Sequence, residues 1–179
     1  MSKREELLKI IPEFDLIQDP ALRENCLAVW EEAMAHRNWT AEELLSIPFT
    51  LLAENVKITF LEHVRTVCQM CVACDKVLTE AYKERKTPVN RDFLVAGALL
   101  ADVGKLFEYD KRDGKVVKSR HGQYLRHPFS GVGLCFKHNI PEEVMHMVAV
   151  HSKEGDHFKR SPEAIILHHA DFIDFDLVK

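Results

Sequence analysis

Apolar residues recur at intervals of three and four along most of this chain, the spacing of one face of an α-helix. Asp19 before Pro20 is an N-cap with proline at the first helical position, and the stripe Leu22, Cys26, Val29, Trp30, Ala33 follows it. Thr40 and Glu43 form a capping box for a short helix that ends before Pro48. A long helix is predicted over residues 57–83, with Ile58, Leu61, Val64, Val67, Cys71 and Leu78 on its buried side. Asn90 caps the next, predicted to run on to about residue 107. The pattern then changes. FEYDKRDGKVVKS places Asp113-Gly114 between two short extended runs, the mark of a small hairpin. Pro128, Pro141 and Ser161-Pro162-Glu163 open three further helices. The second carries Val144, Met145, Val148 and His151; the third carries Ile165, Ile166, Phe172 and Phe175. His127, directly before Pro128, is expected at an N-cap. These elements predict an all-α bundle of some seven helices with one β-hairpin.

Composition adds bounds. The chain has 179 residues, 46% of them hydrophobic, enough for a sizeable core in one domain spanning 1–179. A formal charge of −4 argues against a nucleic-acid partner. No apolar run reaches the ~18 residues of a membrane span, and MSKREELLKI lacks the apolar core of a signal peptide. Five cysteines, an odd number with three on one predicted helix, fit reduced thiols in a cytoplasmic protein. Cys68, Cys71 and Cys74 superficially resemble an iron–sulfur run, but the fourth cysteine and following proline are absent. Buried thiols packing as small apolar groups suffice.

Histidine is the outlier: ten residues, nine of them from His63 onward. His63, Asp102, His127, His151 and Asp171 each sit in or beside an otherwise apolar helical stretch. A carboxylate facing a core costs several kcal/mol unless it is paired or bound to a cation, so five such groups point to a divalent metal site. Imidazole and carboxylate donors suit one or two ions of manganese, iron, zinc or cobalt better than calcium. No thiolate belongs to the set, which argues against a closed structural zinc site. Asp174 is either an alternative ligand to Asp171 or a group that orients one. Lys105, three residues after Asp102, can neutralise charge on a phosphoryl or enolate oxygen and is assigned to catalysis with Asp102. Arg126 and Lys153, with Lys105, are candidate contacts for an anionic small-molecule substrate. His121, His168 and His169 are candidates for supporting the ligands or carrying protons.

LLADVGKLFEY, HPFSG, VHSKEGD and HHADF, following His63 in that order, resemble the HD superfamily of metal-dependent phosphohydrolases. The resemblance covers residues 55–176 and leaves 1–54 as a helical lead-in, either a cover over the site's mouth or a homodimer contact. It implies an HD-domain helical bundle with the hairpin after the Asp102 helix. It implies a hydrolase in which metal-activated water attacks a phosphate ester or nucleotide. Three alternatives stand beside it: the di-iron oxygenation that some relatives carry out, C–C ring opening of a cyclic diketone at the same Lewis-acid site, and a catalytically silent ligand-binding protein lacking the family's histidine. One departure stands out: Ala101 occupies the place of the family's histidine in its His-Asp pair. The family pattern then implies a first site of His63, Asp102 and Asp171 short of one ligand, and an intact second site of Asp102, His127 and His151. Ala101 has two readings, an engineered inactivating substitution or a native site working with fewer imidazoles.

Overall fold

The computed structural model describes residues 2–52, 56–84 and 87–178. The expected boundary between lead-in and core at residues 54 and 55 lies outside the described residues. Helices α1 (Lys3–Ile10), α2 (Pro20–His36) and α3 (Ala41–Leu44) precede α4 (Phe60–Ala81) and α5 (Arg91–Leu100). A four-residue helix α6 (Lys105–Glu108) leads into strands β1 (Tyr109–Arg112) and β2 (Lys115–Lys118). Helices α7 (Arg120–Tyr124), α8 (His127–Lys137), α9 (Glu142–Val150) and α10 (Pro162–Val178) complete the order. The bundle is all-α apart from this two-stranded antiparallel hairpin, as expected.

Local chemistry sets the ends. Asp19 accepts from the amides of Ala21 and Leu22. Thr40 with Glu43, and Thr59 with Glu62, form reciprocal capping boxes. Asp113 and Gly114 have φ values of 50° and 71°, and they close a two-residue turn between paired Arg112 and Lys115. Both positive angles match the right-handed twist of the strands, which is why Asp-Gly stands there.

Helix α5 is buried on every side from Leu94 to Leu100 and packs against α2, α4, α9 and α10. An all-apolar helix belongs at the centre of a bundle. The lead-in joins the same core, through Leu7, Phe14, Leu27 and Trp30 among others.

Three expectations need correction. The helix starting after Asn90 does not run to residue 107: it stops at Leu100, and Asp102 lies in a turn before α6. The apolar periodicity continues through the break, which hid it, but the backbone tightens to i→i+3 bonds at Val103, Lys105 and Leu106. His127 is the first residue of α8, and Arg126 takes the cap position. His151 closes α9 as its C-cap rather than lying within it. Helices α1, α6 and α7 also make the elements more numerous than the seven or so expected. Among the described residues no helix is long and apolar enough to cross a membrane.

Candidate metal centre

The five predicted ligands come together. His63 projects from the first turn of α4, Asp102 from the turn after α5, His127 from the start of α8, His151 from the end of α9 and Asp171 from the middle of α10. Four of the five thus stand at helix ends or turns, where a side chain can reach the bundle's mouth while its helix stays in the core. All but Asp171 are buried.

They form two triads that share Asp102. Oδ1 of Asp102 is 3.1 Å from His127 Nε2 and 3.7 Å from His151 Nε2, and those two nitrogens are 3.2 Å apart. Oδ2 of Asp102 is 3.0 Å from His63 Nε2, which is also 3.0 Å from Asp171 Oδ1. Two donors, each about 2.1 Å from one cation, lie about 3.0 Å apart at a right angle and about 3.4 Å apart at a tetrahedral angle. Four of the five separations fit that range, and the fifth, His151 Nε2 to Asp102 Oδ1 at 3.7 Å, is about 0.3 Å beyond it.

The outer bonds fix which ring nitrogen faces the centre. His151 Nδ1 donates to the Val148 carbonyl at 2.8 Å; a carbonyl only accepts, so Nε2 carries the lone pair. His127 Nδ1 donates to Glu108 Oε2 at 3.1 Å, and the same oxygen accepts from the His127 amide at 3.0 Å. His63 Nδ1 donates to Asp174 Oδ2 at 2.6 Å. Asp174 therefore holds the His63 ring, the geometry of the second of the two roles open to it. His168 donates from Nδ1 to the His151 carbonyl at 2.7 Å, so it too braces a ligand. His121 bonds Ser130 and packs against Phe107.

The electrostatics show the same appetite for positive charge. Burial alone would raise the Asp102 pKa, but the Lys105 charge and the bonds from three histidines hold it well below the ordinary carboxylate range. Burial likewise works against a charged His63, yet its bonds to Asp102, Asp171 and Asp174 carry it up to about 10. His151 is raised against burial by its bond to Asp102 and the nearby Asp171 charge. Carboxylates that stabilise added protons this strongly would stabilise a divalent cation in the same place.

Lys105 Nζ donates to Asp102 Oδ2 at 2.8 Å and to the Phe49 carbonyl at 3.0 Å, and is 5.2 Å from the Phe49 ring centroid. Arg126 is held between Glu108 and Glu154, with Nε 2.9 Å from Glu154 Oε1, so two carboxylates already match its single charge. Lys153 is exposed at the rim. The centre opens into a cavity of about 720 Å³. Phe49, Leu51, Leu52, Phe172 and Phe175 supply apolar lining, and Lys118, Arg126 and Lys153 also reach the cavity. Phe49 packs on His63 with ring centroids 4.6 Å apart.

Residues 60–176 match the HD domain family. The chain belongs to the HD domain family. Such domains bind divalent metals, and the paired triads agree with that chemistry. The chain is also 31% identical over 178 residues to the dihydroneopterin 2',3'-cyclic phosphate phosphodiesterase of Methanocaldococcus jannaschii. That match takes in 96% of this chain and 64% of the relative's length. No solved structure matches.

Glu108, Lys118 and the stretch Phe49–Leu52 escaped the sequence reading. Glu108 carried a usable signal, a carboxylate set among Leu106, Phe107 and Tyr109, the same kind that marks Asp102. Phe49–Leu52 had none, because they precede the resembling segment and reach the cavity only through the fold. The cysteine helix behaves as expected. Cys68 and Cys71 are buried, Cys74 is exposed, and burial pushes the Cys68 thiol up to about 12, far from a ready thiolate.

Proposed function

We propose that this protein hydrolyses a phosphate ester of a small organic molecule, with a cyclic phosphodiester carrying a flat heterocycle as the preferred class. The observation that carries this reading is the pair of triads sharing Asp102 in the lining of a cavity that also holds aromatic and aliphatic side chains and Lys105, Lys118 and Lys153. The related phosphodiesterase supports the phosphodiester and the heterocycle. The family supports hydrolysis with a divalent metal.

When bound by ligands drawn from His63, Asp102, His127, His151 and Asp171, manganese, iron, zinc or cobalt would bring the pKa of a water toward neutrality and so supply hydroxide. The chain's own groups do the rest. Asp174, Glu108 and the Val148 carbonyl hold the three imidazoles with Nε2 inward, so no ligand has to reorient during turnover. Lys105 has three protons and spends two on Asp102 and the Phe49 carbonyl; the third can go to a phosphoryl oxygen. Lys118 and Lys153 at the rim draw in an anion. Arg126, matched by Glu108 and Glu154, contributes more to holding the His127 turn than to charge on the substrate. Phe49, Leu51, Leu52, Phe172 and Phe175 pack on the organic part and keep bulk water from the reacting phosphorus.

The test is reconstitution with each of the four metals and assay against 2',3'-cyclic and linear phosphate esters, followed by ³¹P NMR. A metal-dependent phosphomonoester product is expected. Oxygen uptake without phosphate-ester cleavage would overturn the reading in favour of oxygenation, and tight binding with no product would favour a silent binding protein.

A further inference from the structure

We propose that the centre takes a single divalent ion, on Asp102 Oδ1, His127 and His151, with the Lys105 ammonium as the standing positive charge of the other half. This rests on the metal-dependent reading given above.

The two oxygens of Asp102 are in different situations. Oδ2 already receives the Lys105 ammonium at 2.8 Å and faces His63 Nε2 at 3.0 Å. That nitrogen is 3.0 Å from Asp171 Oδ1 as well. A cationic group therefore already sits on the Asp102 oxygen of this half. Oδ1 faces only the His127 and His151 ε-nitrogens. Each of those rings spends its Nδ1 hydrogen outward, on Glu108 or on the Val148 carbonyl. Two buried ring nitrogens therefore face each other across 3.2 Å and face one carboxylate oxygen, three donor atoms converging as they would on a cation.

Ala101 reinforces the asymmetry. Its side chain is buried in the apolar core and brings no donor to the His63 half. Lys105 is locked there by the Phe49 carbonyl and ring, so it cannot swing out to make room. A second divalent ion on His63, Oδ2 and Asp171 would share Oδ2 with an ammonium, like charge against like charge at contact distance.

Metal-stripped full-length chain is titrated with Mn²⁺ alone, read by elemental analysis after desalting and by electron paramagnetic resonance. The expected result is one ion per chain with the six-line signal of an isolated Mn²⁺. His151→Ala should lose that ion, at least ~30-fold in affinity, whereas His63→Ala should hold it within ~3-fold. Lys105→Met and Ala101→His should each admit a second ion, with the broadened signal of a coupled pair. Circular dichroism identifies any variant that fails to fold, and the His63 and His151 pair decides the matter without the other two. Two coupled ions in the unmodified chain, or an ion lost with His63 and retained without His151, would overturn this inference and leave the proposed hydrolysis standing. No ion bound at all would bring both down.

Discussion

Asp102 is buried, belongs to both triads and, among the described residues, carries the only carboxylate that all three imidazole ε-nitrogens approach. Asp102→Ala should abolish metal binding, measured by elemental analysis of protein loaded with excess metal and desalted; retained stoichiometry would mean the centre lies elsewhere. Glu108 tests the next layer out. Glu108→Gln keeps the size of the side chain but exchanges a carboxylate for an amide beneath His127. A positioning group of this kind should cost roughly 10–100-fold in metal affinity, read by competition with a coloured chelator. The same pair shows what a sequence can disclose. Asp102 was legible because a carboxylate in an apolar stretch demands a partner. Glu108 has the same mark, yet its role depends on His127, nineteen residues further on, and only the fold puts the two in contact. Arg126 shows the same dependence on the fold: its sequence position beside His127 says nothing of the two carboxylates, Glu108 and Glu154, that pair with it.

At the level of elements, the turn between α5 and α6 is the part that periodicity hid. Helical spacing continues through Leu99 and Leu106, so the pattern alone extends one helix where the chain makes two. Gly104 is why the break is tolerated: a Cβ there would lie 2.1 Å from the His127 carbonyl oxygen and 2.9 Å from the Gly131 amide nitrogen. Both are backbone atoms and cannot step aside. Gly104→Ala should therefore destabilise the fold by ~3 kcal/mol, seen as a lower midpoint in urea, by pushing α8 and its His127 away from Asp102. The segment joining α9 to α10 carries a pH dependence. Burial would raise the Glu154 pKa, but bonds from Ser152, from its own amide and from Arg126 hold it down at about 2, against an ordinary 4.5. A depressed carboxyl stabilises the fold fully above its unfolded value and loses that contribution as pH falls through its folded one. Between pH 4.5 and about 2, Tm should therefore fall more steeply for the unmodified chain than for Glu154→Gln, with the two curves converging at the acid end.

Across the whole molecule, the family match accounts for residues 60–176, whereas part of the cavity wall comes from before it. Phe49, Thr50, Leu51 and Leu52 line the cavity, and the Phe49 carbonyl accepts from both Lys105 Nζ and Tyr109 Oη. Further apolar lining comes from α10. Phe172→Ala should lower kcat/KM for a cyclic phosphate bearing a heterocycle about tenfold more than for one bearing a short alkyl chain, the worth of one aromatic contact. Equal losses on both substrates would mean the ring does not meet the organic group. The lead-in also serves the turn that bears Asp102. The Trp30 indole N–H donates to the Leu99 carbonyl and that of Trp39 to the Leu106 carbonyl, each at 3.0 Å. The chain has two tryptophans, and both are spent on the carbonyls that flank this break. Its ultraviolet emission is thus a built-in gauge of the turn that bears Asp102: loosening of that turn should shift it, and no attached dye is needed to read it.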